Sequence, residues 1–252
     1  MGMSVVQRLY ELCKETFLPG GVVPPPPAIA RMTAFLDTIK AVDVGLDEGA
    51  ITEMGHSGPT RRRRQYRRSR TVTSLRPRQS PPVTYILIHE CSTFSIGIFC
   101  LPSSAVIPLH DHAQMTVFSK ILCGSMHIKA YDWLTPQPQL SFKHHFPLDL
   151  KLAALKVDGD FRAPCETSVL YPTSGGNIHS FTALTSCAVL DVLSPPYSGE
   201  PSYYIEYPCP DLPGNVEDRD SEEYVWLEQR EKPKSFCLIP HPYRGPRIDF
   251  SF

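Results

Sequence analysis

Three histidines have the residue type and spacing of a metal site. His110 and His112 are separated by one residue in PLHDH, and His179 follows a Gly-Gly pair in GGNIHSFTAL. Side chains two apart in a strand point to the same face, so His110 and His112 can face one interior while Asp111 faces outward. An isolated His-x-His pair also arises by chance in surface strands. A third inward histidine would complete a metal site, and His179 is the best-placed candidate.

Short strands must position these histidines. Between residues 82 and 195 about ten β-branched or aromatic segments are separated by Gly, Pro, Asn or Asp turns, which is typical of a sandwich or small barrel. The chain has 26 prolines in 252 residues, about twice the usual share of roughly 5%, and a helical bundle would not tolerate them. We therefore predict an all-β fold, a cupin-type jelly-roll barrel with two N-terminal helices and C-terminal extensions.

The chain divides into three stretches by composition. Apolar residues recur at helical spacing over 5–17 and 28–42, which predicts two helices in an N-terminal segment, 1–48, that packs on the barrel. Residues 49–81 are rich in Arg, Ser, Thr and Pro without either period, so we predict a disordered insert. Residues 82–252 form the barrel domain, whose end we interpret as extensions packed on the barrel.

The balanced charge conceals an acidic body with one basic insert. The chain has 25 basic and 26 acidic residues, but residues 51–80 hold nine Arg and one Glu, which leaves 16 basic and 25 acidic residues elsewhere. An acidic body argues against a general nucleic-acid-binding surface, so we expect no nucleic-acid partner. The run RRRRQYRRSR indicates either a nuclear-localisation or nucleic-acid patch, or an incidental insert or wrongly predicted exon, and we favour the second interpretation.

The chain also lacks the signals of secretion and membrane insertion. No apolar run approaches the ~18 residues of a membrane span, and the start MGMSVVQRLYELCKE carries charges where a signal peptide is apolar. The eight cysteines include no CxxC pair, which is typical of reduced thiols. We expect a soluble, unsecreted protein with no membrane partner.

The histidine segments resemble the two cupin motifs, the first of which has the form G-x5-H-x-H-x3,4-E-x6-G. Gly124 fills its last position, but Val117 stands where the carboxylate belongs. The second motif is matched by Pro172, Gly176 and His179. Three neutral imidazoles without a carboxylate leave Fe(II) with its full double charge, which suits an anionic thiolate ligand, as in thiol dioxygenases.

The resemblance narrows to one family over about 200 residues. The segments 82–133 and LDVLSPPYS (190–198), the first helices and the ending EYVWLEQREKP closely resemble plant cysteine oxidases, which are similar to animal aminoethanethiol dioxygenase. This resemblance implies an enzyme that uses O2 to oxidise an N-terminal Cys of a protein to its sulfinic acid, marking that protein for arginylation and degradation. It also implies group VII ethylene-response transcription factors as partners, a role in oxygen sensing, a monomer, and a cytoplasmic and nuclear localisation.

The resemblance also implies roles for individual residues. His110, His112 and His179 would be the Fe(II) ligands. Asp191 would hold the α-ammonium of the substrate, directly or through water; the alternative is a buried strand-end carboxylate that caps a turn. Tyr197 would donate a hydrogen bond to bound oxygen, or it is an ordinary packed tyrosine.

One departure from the family and three other functions remain open. The loop after PPYS runs directly to Tyr203 and Tyr204 without the Cys that the family carries there. A small-molecule thiol dioxygenase acting on cysteine or cysteamine is an alternative. A cupin isomerase would need the missing Glu, and a non-catalytic cupin would not need three histidines.

Overall fold

The computed structural model describes residues 2–47, 80–137, 150–210 and 223–250. The predicted disordered insert therefore lies almost entirely outside the described residues. No helix among the residues that are described is both long and apolar enough to cross a membrane. The helices are α1 Val5–Thr16, α2 Pro26–Leu36 and a 3-10 helix, Ala41–Val44; the strands are β1 Val83–Glu90, β2 Ser95–Leu101, β3 Val106–Asp111, β4 Thr116–Cys123, β5 Ser125–Trp133, β6 Leu150–Arg162, β7 Ser168–Leu170, β8 Ile178–Ala183, β9 Cys187–Ser194, β10 Tyr203–Pro208, β11 Tyr224–Arg230 and β12 Leu238–Pro240.

The two helices begin where local chemistry permits and bury one face. The Ser4 hydroxyl accepts the Gln7 amide at 3.1 Å and caps α1, and Pro26 occupies the first turn of α2, where its missing N–H costs nothing. Leu9 of α1 and Met32 of α2 are fully buried in one core with residues of β1, β2 and β9. The helices thus cover the outer face of a sheet.

The strands form two sheets. One has the order β12-β1-β2-β9-β4-β7, and the other closes into a ring with the order β10-β11-β6-β5-β8-β3. The ring closes where Tyr203 of β10 pairs with His110 of β3. The mostly stranded architecture with two N-terminal helices confirms the predicted cupin-type jelly roll.

The C-terminal strands do more than extend the barrel. Along 203–230, β10 and β11 pair with each other, β11 pairs with β6, and β10 closes the ring against β3. Tyr203 and Leu227 are buried, because closing the ring places one face of each strand in the interior. These strands are part of the wall beside His110, a placement that their short aromatic pattern did not reveal.

Strand β9 is buried along its whole length because both of its faces are covered. Leu190 and Val192 belong to the core beneath the helices, so the alternate residues Val189, Asp191 and Leu193 face the barrel interior. The same alternation that buries the apolar side chains therefore delivers one carboxylate, Asp191, to the interior.

Candidate active site

The three predicted histidines lie together in the interior. His110 near the end of β3 is the direct cross-strand partner of His179 in β8, and His112 follows one residue after β3. All three are buried, and their ring nitrogens lie within 4.8 Å of one another. Antiparallel pairing of two strands distant in sequence thus adds His179 to the pair that the His-x-His spacing places on one face.

The cluster fits a metal ion by geometry and by protonation. His112 Nε2 and His179 Nε2 are 3.0 Å apart, and two nitrogens held at about 2.1 Å from one ion are roughly this far apart when they meet it near right angles. Burial lowers the pKa of all three imidazoles, and the neutral imidazole is the form that binds metals. The three residues could hold a metal.

Hydrogen bonds behind two of the rings fix which nitrogen faces the interior. The His110 Nδ1–H donates to the Pro108 carbonyl at 2.8 Å. The Tyr197 hydroxyl donates its one proton to the Asp111 carbonyl at 2.8 Å, so the contact of 2.8 Å between Tyr197 Oη and His112 Nδ1 requires the imidazole to donate. Both rings therefore turn an Nε2 lone pair toward the cluster.

Tyr197 consequently has a different contact from the one that the sequence suggested. The prediction directed its hydroxyl at bound oxygen, whereas the structure commits that proton to the Asp111 carbonyl. Burial raises the pKa of Tyr197, and the nearby Asp111 and Asp191 raise it further, so the phenol stays neutral. In this arrangement Tyr197 orients His112.

Asp111, which the alternation of β3 places on the face away from the histidines, is buried instead of exposed to solvent. Its Oδ1 accepts the Ser202 amide and its Oδ2 accepts the Tyr204 hydroxyl, both at 2.9 Å. Asp111 is 8% exposed, because the segment leading into β10 covers the outer face of β3. It ties the C-terminal part of the ring to the strand that carries His110.

Sequence reasoning also missed Asn177, which fastens the two histidine segments together. Its Nδ2 donates to the His112 carbonyl at 2.9 Å and its Oδ1 accepts the His112 amide at 3.2 Å. The amides of Gly176 and Asn177 both donate to Asp132 Oδ1 at 2.9 Å. The only available signal was the GGN turn before His179, where Gly176 adopts a φ of 83°.

A cavity of about 300 Å³ opens beside the histidines, and Asp191 lies in its wall. Asp191 is 5% exposed, and its Oδ1 has no hydrogen-bond partner in the described part of the chain. Burial raises the pKa of this carboxyl to about 7. The Ser119 hydroxyl on the neighbouring strand lowers this pKa only in part. A buried carboxylate with no cation beside it is costly, which is typical of a group that binds a cationic ligand.

The mouth of this cavity, which we call the substrate cavity, is polar. Glu90, Glu200 and Lys232 line it, and Lys232 Nζ is 2.9 Å from Glu200 Oε1. Tyr85 also lines the cavity, and its ring lies so close to Gly97 that a Cβ there would be 2.6 Å from it. The cavity thus combines a polar entrance with aromatic walls and a buried carboxylate.

The residue at the position of the cupin carboxylate is apolar, and so are the side chains around it. Val117 is 1% exposed and packs with Met115, Leu170 and Leu193. No oxygen ligand comes from this position, so the cluster keeps three neutral nitrogen donors.

The contact between Tyr197 and His112 leads to a first prediction. Tyr197→Phe removes the acceptor that holds the His112 Nδ1–H, and loss of such an outer partner costs about 10–100-fold in metal affinity. We expect a loss near the lower end of this range, measured by competition with a chelator. Tyr207→Phe is the matched control, because the Tyr207 hydroxyl lies at the surface against Glu228. Equal metal affinity of the two variants would contradict this role.

The closed ring, the facing sheet and the buried histidine cluster define the class as a cupin with a candidate metal centre. A solved RmlC-like cupin from Desulfovibrio desulfuricans is similar over 52% of this chain and all of its own, at 17% identity and a TM-score of 0.31.

Comparison with known proteins identifies the family. The PCO_ADO family model matches residues 35–248. Plant cysteine oxidases 2 and 1 of Arabidopsis thaliana are 46% and 43% identical to this chain, over 96% and 98% of it and 83% and 82% of their own lengths. The 2-aminoethanethiol dioxygenase of Mus musculus is 32% identical, over 68% of this chain and 73% of its own.

The chain therefore belongs to the PCO_ADO family, as its sequence resemblance predicted. These homologues indicate a thiol dioxygenase, an oxidoreductase.

Proposed function

We propose that this protein is an iron-dependent dioxygenase that oxidises the N-terminal cysteine of protein substrates to cysteine sulfinic acid. The observation that carries the proposal is the pairing of two features in one cavity: three buried imidazole nitrogens, and a buried carboxylate whose Oδ1 is unpartnered among the described residues. The three imidazole nitrogens suit a metal that binds a thiolate, and the carboxylate suits the α-ammonium next to that thiolate.

Iron(II) is the proposed ion because of the donor set and the reaction. His110, His112 and His179 would hold it. When bound, it would lower the pKa of the substrate thiol and bring the sulfur and O2 together. The outer contacts, from Tyr197 and Pro108, hold two of the three rings in the tautomer that this requires.

Asp191 would orient the substrate. A free α-ammonium placed against its unpartnered Oδ1 would stabilise the ionised carboxylate in place of the water that burial excludes, since a buried charge needs a partner. An acetylated N-terminus carries no charge and would leave Asp191 uncompensated. The polar mouth would leave room for the rest of the peptide to exit toward solvent between Glu200 and Leu238, which both line the cavity.

The overall chemistry balances with one substrate and O2. The thiolate R–S⁻ and O2 give R–SO2⁻: the O–O bond breaks, two S–O bonds form, and sulfur supplies all four electrons. No organic reductant is needed. The product is a sulfinate, and in most proteins a cysteine sulfinate is not reduced back to the thiol. The modification therefore suits an irreversible signal.

The cellular role that we propose follows the sequence resemblance. The sulfinate would feed the Arg/N-degron pathway in oxygen sensing, with group VII ethylene-response transcription factors as substrates and with the enzyme acting as a monomer in cytoplasm and nucleus. A reporter with an exposed N-terminal Cys should be degraded in air when this chain is co-expressed in cells that lack other such enzymes. It should persist when His179 is replaced by alanine.

The direct test supplies Fe(II) and a peptide that begins with Cys, and uses mass spectrometry to detect the mass of two added oxygen atoms. We expect product from the free peptide and none from its N-acetylated form. No product, or equal product from both peptides, would contradict the proposal. Faster oxidation of free cysteine or cysteamine would instead identify a small-molecule thiol dioxygenase.

A further inference from the structure

The Tyr85 side chain occupies the space that Gly97 leaves open on the neighbouring strand. Tyr85 lies on β1, where Leu87 is the cross-strand partner of Gly97 in β2. A Cβ at Gly97 would lie 2.6 Å from the Tyr85 hydroxyl oxygen, so the phenol leans along β1 and lies directly over Gly97. A side chain at Gly97 would therefore displace the phenol.

The same glycine is the direct cross-strand partner of Asp191. Gly97 pairs with Asp191 of β9, and the Cα atoms of such partners are about 4.5–5.5 Å apart. The phenol over Gly97 therefore lies beside the carboxyl group of Asp191. Tyr85 and Asp191 both line the substrate cavity.

The Tyr85 hydroxyl is a free hydrogen-bond donor in this cavity. It makes no hydrogen bond within the part of the chain that the structure describes. Burial raises the pKa of Tyr85 to about 12, and the charge of Asp191 contributes, so the hydroxyl keeps its proton at neutral pH. A donor and the acceptor Oδ1 of Asp191 thus face one cavity without satisfying each other.

Packing holds the Tyr85 ring in place. Phe99 is the cross-strand partner of Tyr85, and the two ring centroids are 4.8 Å apart with planes inclined by 39°. Gly97 lies beneath the outer end of the phenol. Because the ring is fixed in this way, its hydroxyl has one position, and a ligand that binds there loses little conformational freedom of the protein.

The order of the strands gives this wall of the cavity a direction. Strands β9, β2, β1 and β12 are neighbours in that order, so the wall runs from Asp191 through Tyr85 to Leu238 at the mouth. In a peptide, the carbonyl of the first residue follows its ammonium along the chain. With the ammonium against Asp191, the carbonyl oxygen comes next toward the mouth, where the Tyr85 hydroxyl lies.

We propose that the Tyr85 hydroxyl donates a hydrogen bond to the carbonyl oxygen of the N-terminal cysteine of the substrate. This bond makes the site selective for peptides over cysteamine, which has no carbonyl. The assignment rests on the proposed function, because it takes the thiolate at the histidines and the ammonium at Asp191 as its fixed points. Gly97 is then a positioning residue, since it leaves the space through which Tyr85 reaches Asp191.

The first test compares L-cysteinamide with cysteamine, because the two compounds differ only by the carboxamide group. Tyr85→Phe should lower the ratio of kcat/KM for cysteinamide to kcat/KM for cysteamine by about 3–10-fold, as expected for one hydrogen bond between uncharged groups. Tyr207→Phe removes a surface hydroxyl that is bonded to Glu228, and it should leave the ratio as in the wild type. An unchanged ratio in Tyr85→Phe would overturn the assignment.

Gly97→Ala tests the positioning of the phenol. The new Cβ should displace the Tyr85 ring, so the same ratio should fall as it does in Tyr85→Phe. Gly159→Ala is the matched control, because a Cβ there meets nothing closer than the Phe161 ring at 3.9 Å. A folded Gly97→Ala variant with the wild-type ratio would contradict the role of Gly97. If this variant does not fold, Tyr85→Phe decides the proposal by itself.

The second test measures binding without turnover. Anaerobic calorimetric titration of the Fe(II)-loaded protein with the same two compounds gives the ratio of their Kd values, which Tyr85→Phe should shift by the same factor. A shift in this ratio without any oxidation in air would contradict the proposed function and leave the role of Tyr85 supported. Normal oxidation of a Cys-peptide with an unshifted ratio would do the reverse. A wild-type protein that binds neither compound would refute both.

Discussion

Replacing His179 with alanine should abolish metal retention and dioxygenase activity together. His179 Nε2 is 3.0 Å from His112 Nε2, and the side chain is one of three donors in the cluster. Loss of an outer partner of a metal ligand already costs about 10–100-fold, so we expect loss of the ligand itself to exceed about 100-fold in affinity. The measurement is the metal content after dialysis, together with turnover of the Cys-peptide.

His127→Ala is the matched control for this experiment. His127 lies on β5, next to the strand that carries His179, but its ring nitrogens contact Asp158 and Asp160 at 2.9 and 2.7 Å near the surface. We expect this variant to keep its metal and its activity. If His179→Ala also kept its metal, the third ligand would have to be another residue.

Asp191→Asn should impair turnover of the Cys-peptide while metal content stays unchanged. Truncating one member of a buried charge pair costs about 2–5 kcal/mol, so we expect kcat/KM to fall by roughly 100-fold. For the N-acetylated peptide, which lacks the charge, the wild-type enzyme and the Asp191→Asn variant should have similar kcat/KM. Asp160→Asn provides the control, because Asp160 is an exposed carboxylate.

The same substitution should stabilise the protein at neutral and alkaline pH. Burial raises the pKa of Asp191 from an ordinary 3.8 to about 7, so the folded state holds this proton more tightly than the unfolded state does. Ionisation therefore destabilises the folded protein progressively as the pH rises from about 4 to 7. Asparagine cannot ionise, so the gain in free energy of unfolding over wild type should grow across this interval and level off above it.

Urea unfolding of the metal-free proteins at several pH values would measure this difference. A constant difference from pH 4 to pH 8 would mean that Asp191 titrates normally and is not a buried acid. An Asp191→Asn variant with full activity toward the free peptide would show that another group binds the α-ammonium. The two readouts separate a substrate-binding carboxylate from one that only supports the fold, because the variant should gain stability while it loses activity.

Features of the fold and of the site that depend on neighbouring residues in the chain could be predicted from the sequence. The alternation of a strand places His110 and His112 on one face, and the dense turns between short strands indicate a barrel. The same alternation along β9 places Asp191 opposite Leu190 and Val192. The family resemblance was likewise carried by continuous segments and is confirmed by the comparisons.

The contacts that finish the site were not accessible, because they join residues far apart in the chain. Asn177 bonds the main chain of His112, and the Tyr197 hydroxyl accepts the hydrogen bond of His112 Nδ1–H while it donates to the Asp111 carbonyl. Asp111 is covered because β10 returns to close the ring beside β3. Short aromatic segments such as β10 carry no local sign of which strand they will pair with.

The donor types, the faces of the strands and the family of this protein follow from the amino-acid sequence alone, since residue identity and a period of two are properties of the local chain. The assembled fold set the direct pairing of His110 with His179 across strands, the imidazole nitrogens that face inward, and the cavity with Asp191 in its wall that opens beside the cluster. Those outcomes depend on strand pairing and on the space left between side chains, and neither is set until the ring has closed.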